Sequence, residues 1–203
     1  MKLFLLTICW LLINIGLNAQ NFLLPVQLYD RSDLSLIQLT PIGKFGEIRK
    51  ERPGVPEHYH TGIDIKRPKQ NYKEEPIYSI GQGVVLSIRN DGPYALIIIE
   101  HNNNGNTFWT EYEHVAGIKV EVGDFVTEKT QIARFMNSDE LNQYGWQFDH
   151  FHFEIFKVPP MRIVPKESQP QHIYNTFNLI CYTMDDLDHY YFNPIPFLKE
   201  LMY

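Results

Sequence analysis

The stretch FDHFHFEIF, residues 148–156, sets two histidines one residue apart with a carboxylate two residues further on. In a strand, alternate side chains share a face. His150, His152 and Glu154 then point one way, and Phe151, Phe153 and Ile155 the other. The aromatic row suits a core. The imidazole row suits a cation held between two rings, or a division of labour in which one ring binds and the other moves protons. One histidine in a strand is commonly half-apolar filler. Two at this spacing ask for partners elsewhere in the chain.

HYHTGIDIK, residues 58–66, supplies them. Read as one strand, it places His60 and Asp64 on one face and Thr61, Ile63 and Ile65 on the other. Gly62, without a side chain, leaves room between the ring and the carboxylate for a small ion. One histidine, one aspartate and a histidine from a distant strand form a nitrogen and oxygen donor set. Such a set suits Zn²⁺ with its fourth position left for water, the mark of a catalytic site. No CxxC pair exists to build a closed structural site. YEHV, residues 112–115, adds His114 at a strand end, on the face of Tyr112 and Phe108. Alone it is an ordinary strand histidine; beside the others it is a further proton-handling ring. His58 lies near enough to compete as a ligand. His101, His172 and His189 read as structural or surface residues.

The elements that must position these groups are mostly strands. IYSIGQGVVLSI reads as two strands broken by glycine, and YALIIIE as a buried strand. HNNNGN reads as a turn and TFWTEYEHV as its return strand. The alternating valines of IKVEVGDFVTEKTQIARF continue the pattern, and SLIQLT is a further candidate strand. Residues 41–59 are loop-like, with three glycines and three prolines. The expected fold class is all-β: an antiparallel β-sheet core with few short helices. FNPIPFLKELMY closes the chain as a short helix after Pro196.

The chain has 203 residues, 44% hydrophobic and 14% aromatic, enough for one domain with a real core. Residues 1–19 read as a secretory signal peptide: one lysine, an apolar run from Leu3 to Ile15, then small and polar residues. The run is shorter than the roughly 20 residues that span a bilayer, which favours cleavage and no lasting membrane span. Cleavage removes one lysine and takes the net charge from −6 to −7. That balance gives no attraction to nucleic acid or an anionic membrane. Only Cys181 remains, so no internal disulfide forms. Residues 20–40 form an N-terminal segment and 41–203 a single domain. The proline-rich and aromatic stretch at about 158–192 is an insertion in that domain. The segment and the insertion are both candidates to block the site.

HTGID, YEHV and HFHFEI, in that order, resemble the HxGxD, YxHL and HLHFEI motifs of the M23 metallopeptidases, the lysostaphin-type endopeptidases. KFGEIR resembles the family's FGxR, GQGVV its DGVV turn, VEVGDFVTEKTQIA its VxxGDxVxxGQxIG hairpin, and FNPIPFL its closing DPxPYL. A lone HxH is weak evidence; three motifs in order are specific. The resemblance covers residues 41–157 and 192–198. It implies that His60, Asp64 and His152 ligate one zinc ion and that His114 and His150 are the non-ligand catalytic histidines. It also implies an antiparallel β-sheet core with a substrate groove over the metal and an enzyme that cuts peptide cross-bridges of peptidoglycan; with the signal peptide, that enzyme is expected to be exported, periplasmic or extracellular. A non-catalytic member of the same fold, binding wall peptides or regulating another hydrolase, is the alternative; such members lack ligands that are all present here. A cupin-like site also uses HxH, but gives the upstream HxGxD no role. The family's glycine-rich turn before the last motif is replaced here by RFMNSDELNQYGWQFD, a departure in the groove wall.

Overall fold

The computed structural model describes residues 20–203; the expected signal peptide lies outside the described residues. In chain order the strands are β1 (Ile48–Arg49), β2 (His58–Tyr59), β3 (Ile63–Lys66), β4 (Pro76–Tyr78), β5 (Gly83–Arg89), β6 (Leu96–Asn103) and β7 (Asn106–Glu113). They continue as β8 (Val115–Ala116), β9 (Phe125–Val126), β10 (Gln131–Phe135), β11 (His150–Phe156), β12 (Met161–Arg162) and β13 (Tyr174–Asn175). Three α-helices lie among the described residues: α1 (Ser138–Tyr144), α2 (Met184–Tyr190) and α3 (Pro194–Met202). The fold is β-rich, and every strand pairing is antiparallel.

A six-stranded sheet runs in the order β3-β11-β7-β6-β5-β9, and a three-stranded sheet in the order β4-β10-β8. The β6–β7 hairpin turns on Asn104 and Gly105, whose φ values of 53° and 88° are the left-handed pair that a two-residue turn of matching twist requires. Ile97 and Ile99 of β6 join Tyr112, Phe151, Phe153 and Ile155 in the main core. Ile77, Ala133 and Phe135 of the smaller sheet close that core from the other side. Leu96 and Ile98 face the opposite way, into a second cluster with Trp109, Phe156, Cys181, Leu187 and Tyr191. Both faces of β6 are therefore dry, which explains its unbroken apolar run.

Some local expectations are corrected. SLIQLT is not a strand: Leu34–Leu36 form a 3-10 turn, because the Asp33 carboxylate accepts the Ser35 N–H at 2.9 Å. HYHTGIDIK is not one strand but two, β2 and β3, with a break at residues 60–62. The closing helix begins at Pro194, not after Pro196. Asn193 caps it and proline at the first position costs no hydrogen bond. Helices α1 and α2 are additions to the sequence reading. Each opens with a capping box, Asn137 with Glu140 and Thr183 with Asp186. Residues 20–40 pack Phe22, Leu24 and Val26 into the main core and contribute only Thr40 to the two cavities near the site.

Candidate metal centre and its groove

The register of β3 against β11 builds the site. His152 is the cross-strand partner of Asp64, and His150 that of Lys66. On the other side of β11, His152 pairs with Glu113 and Glu154 with Glu111. One sheet face thus carries Asp64, His152 and Glu154, while Ile63, Ile65, Phe151 and Phe153 hold that face in place from the core behind it.

His60 reaches this row from the break between β2 and β3. Its Nε2 lies 3.0 Å from Asp64 Oδ1 and 2.9 Å from His152 Nδ1, and the third edge, His152 Nδ1 to Asp64 Oδ1, is 3.0 Å. All three residues are buried. Each is tied from outside. His60 Nδ1 donates to the Lys44 carbonyl at 2.8 Å, which leaves Nε2 as a bare lone pair turned inward. His152 Nε2 faces Glu154 Oε1 at 2.8 Å, which turns Nδ1 inward. Asp64 Oδ2 accepts from Arg49 Nη2 at 2.6 Å, which turns Oδ1 inward.

Two nitrogens and a carboxylate oxygen converging in this way repel one another unless a cation sits among them. A proton satisfies one edge; a divalent ion matches all three donors at once. The set of two imidazoles and one carboxylate, each steadied by a hydrogen bond on its outer atom, fits zinc with an open coordination position. The electrostatics agree. Burial opposes charge on His152, but Asp64 and Glu154 on its two nitrogens outweigh it and raise its pKa to about 10. Burial would raise the Asp64 carboxyl, yet the hydrogen bonds of His152 and His60 hold it far below the usual carboxylate range. Burial lowers His60.

Behind the triangle lies a carboxylate pair that the sequence reading did not see. Glu154 is fully buried and also accepts from the Thr61 hydroxyl. Glu111, its cross-strand neighbour, has both oxygens buried without a hydrogen-bond partner. Burial first, and then the Glu154 charge, push Glu111 well above the carboxylate range, so it keeps its proton. Glu154 stays anionic because the donors around it, His152 above all, offset its burial. Only the placement of Glu154 on the histidine face was legible in sequence. Arg49 carried a signal too, within KFGEIR, but its pairing with Asp64 did not.

Two further histidines border the triangle. His150 Nε2 lies 3.7 Å from Asp64 Oδ1, and burial lowers its pKa to about 4, so the ring is neutral near pH 7. His114 stands 5.3 Å from it, centroid to centroid and edge-on. The expectation that His114 shares a face with Tyr112 and Phe108 is corrected. Tyr112 is fully buried in the core, and plain alternation would bury His114 with it. Instead residue 114 follows the end of β7 with φ 63°, where the chain leaves the large sheet and enters β8 of the small one. That left-handed kink turns the ring out of the core, a strained geometry of the kind found at functional sites. Its Nδ1 donates to the Pro93 carbonyl at 2.6 Å and its ring packs 4.9 Å from Phe148. His58 is not drawn into the triangle; its Nδ1 bonds the Pro56 carbonyl at 2.8 Å.

The five residues line a cleft of about 690 Å³, with Arg49, Tyr94 and Leu179 on its rim. Gly62 is not the open space that the sequence reading assigned to an ion. A Cβ there would lie 2.3 Å from the Phe153 carbonyl oxygen and 2.9 Å from the His152 ring. The glycine lets the break before β3 pass against β11.

The model of peptidase family M23 matches residues 58–168. Over 127 residues the chain is 30% identical to the peptidoglycan DD-endopeptidase ShyA of Vibrio cholerae serotype O1. That stretch is 56% of this chain and 26% of ShyA, so the chain spans about a quarter of that relative's length. Among solved structures, a zinc-containing peptidase from Vibrio cholerae is similar at 26% identity and a TM-score of 0.45, over 67% of this chain and 37% of that one. Lysostaphin from Staphylococcus simulans is similar at 20% identity and a TM-score of 0.49, over 84% of this chain and 53% of that one. The matched span takes in more than half of the chain and all five of the histidines and carboxylates gathered at the triangle and its border, and on that ground the chain belongs to peptidase family M23.

Proposed function

We propose that the protein is an exported zinc endopeptidase that hydrolyses peptide cross-bridges of bacterial peptidoglycan, with His60, Asp64 and His152 as metal ligands and His114 and His150 as the catalytic histidines. The observation that carries this reading is the triangle itself: three inward ligand atoms with edges of 2.9 to 3.0 Å, each fixed from outside. Family membership and the likeness to ShyA support the reaction and the substrate class. Peptidoglycan as substrate places the protein outside the cytoplasmic membrane; no described helix is long and apolar enough to cross one. Residues 41–203 form one domain in this reading, and 158–192 are its insertion.

A zinc ion in the triangle supplies Lewis acidity toward the scissile carbonyl and makes water acidic enough to attack near neutral pH. The protein's own groups do the rest. His150, neutral and beside Asp64, accepts the proton of the attacking water. His114, with Nδ1–H committed to the Pro93 carbonyl, presents its Nε2 lone pair to the cleft, and once that atom has taken up a proton it donates to the oxygen or nitrogen that gains charge. Arg49 keeps Asp64 from rotating. Tyr94 and Phe148 pack around His114 and keep its ring in place.

The test is mass analysis of peptidoglycan fragments released by the wild type and by His152→Ala. The wild type should release peptides cut within the cross-bridge, and the variant none. Identical patterns from the two would defeat the proposal.

A further inference from the structure

Past the metal triangle, the same sheet face carries one more row. Register pairs Asp64 with His152 and, two residues on, Lys66 with His150. Two residues of strand advance about 7 Å, so Lys66 stands next to the triangle, beside His150. It opens on a second cavity of about 340 Å³ that shares His150 and Gln147 with the groove.

One side of the cavity, Trp146, Gln147 and Asp149, comes from the segment where this chain departs from the family's glycine-rich turn; residues 66–72 supply most of the rest. Trp146, 51% exposed, forms one wall and meets the Tyr72 ring at 5.5 Å, edge-on. Arg67 braces the floor and is not free to bind. Its Nε donates to Asp149 at 2.8 Å, and its terminal nitrogens donate to the Asn71 and Met136 carbonyls. Lys66 and Lys69 are exposed and, among the described residues, form no ion pair. With Arg67 balanced by Asp149, the cavity presents two uncommitted positive charges on a chain whose net charge is −6. A local reversal of sign beside a reacting centre is an anion-selecting feature.

We infer that this cavity receives a free carboxylate carried by the residue next to the scissile bond, with Lys66 as its ion partner and Trp146 against its aliphatic part. The inference rests on the endopeptidase reading and narrows its substrate. A bridge made of glycines carries no such carboxylate. A cross-link through the side-chain amine of a diamino acid such as diaminopimelate carries one on the carbon bonded to the scissile nitrogen. The second kind places its charge within a lysine side chain's reach of the reacting carbonyl. The cavity therefore selects the diamino-acid cross-link over the glycine bridge.

Two measurements on the zinc-loaded full chain test this. The first is calorimetric binding of the amine-side cleavage fragment, a diaminopimelate peptide with that carboxylate either free or converted to an amide. The second is cleavage of the two corresponding D-alanyl cross-linked peptides. The free acid should bind at least tenfold more tightly, and its cross-link should be cut with at least tenfold higher kcat/KM, mostly through KM. Lys66→Gln should remove both preferences, and Lys66→Arg should keep them. Equal binding of the two fragments by the wild type would overturn the inference. So would a preference that survives in the Lys66→Gln/Lys69→Gln double variant. A binding preference without cleavage of either peptide would support the cavity's assignment and contradict the endopeptidase reading instead.

Discussion

His152 is the residue on which the centre turns, because both of its nitrogens are committed. Nδ1 faces Asp64 and His60, and Nε2 faces Glu154. The Glu154 charge therefore selects which nitrogen points at the metal position. Glu154→Gln keeps the volume and removes the charge, and its amide can present a donor where an acceptor is needed. Outer partners of metal-bound histidines are worth about 10–100-fold in affinity, so the variant should bind zinc weaker by that factor in a competition with a chromophoric chelator. An unchanged affinity would show that Glu154 does not orient the ring. His150 and His152 were legible as a pair because alternate strand positions share a face; the same rule grouped His60 with Asp64, but His60 meets it from the break between β2 and β3 rather than from one strand. Glu111 was not, since a glutamate in a strand gives no sign of being buried until its cross-strand partner is known.

At the scale of elements, β3 and β11 do the positioning, and Gly62 permits their approach. Gly62→Ala would drive a methyl into the Phe153 carbonyl and the His152 ring. Backbone is the obstacle, so relief requires the segment to move away from β11. Overpacking of this kind costs about 1–3 kcal/mol, and displacement of His60 should weaken zinc binding as well. Urea unfolding with and without zinc measures both effects. Wild-type stability and affinity in Gly62→Ala would contradict the close packing. The long strands were readable from their alternation or unbroken apolar runs, and the β6–β7 turn from Asn-Gly. The sheet switch at His114 was not, because a left-handed φ at a histidine has no sequence signature. Helices α1 and α2 announced themselves only through capping boxes, and the surrounding bulky residues obscured those.

Across the whole molecule, the six-stranded sheet divides one of its faces in two. One part is sealed by α2 and the residues before it, through Cys181, Leu187 and Tyr191; the other holds the triangle and the cleft. That late segment had no periodicity from which its packing could be read. Elsewhere on the sheet His101 is fully buried, donating to the Gln82 carbonyl at 2.7 Å and bonded to Thr110 at 2.8 Å. Burial lowers its pKa from 6.5 to about 4. Below pH 6.5 the unfolded chain takes up a proton that the folded chain refuses. Stability from this group is thus complete above pH 6.5 and is lost as the pH falls toward 4, by about 2 kcal/mol at pH 5. Denaturant unfolding at pH 7.5 and pH 5 should show His101→Gln losing less stability than the wild type over that interval. Equal losses would remove His101 as the source.

The central claim is that His60, Asp64 and His152 grip one divalent ion. Its most direct test is calorimetric titration of zinc into the chelator-treated full chain, run beside Asp64→Ala. The account predicts one ion per wild-type chain, with proton release at pH 7.5 because His152 gives up the proton it holds with a pKa of about 10, and loss of that site in the variant. No zinc uptake by the wild type, or the same affinity in Asp64→Ala, would contradict it.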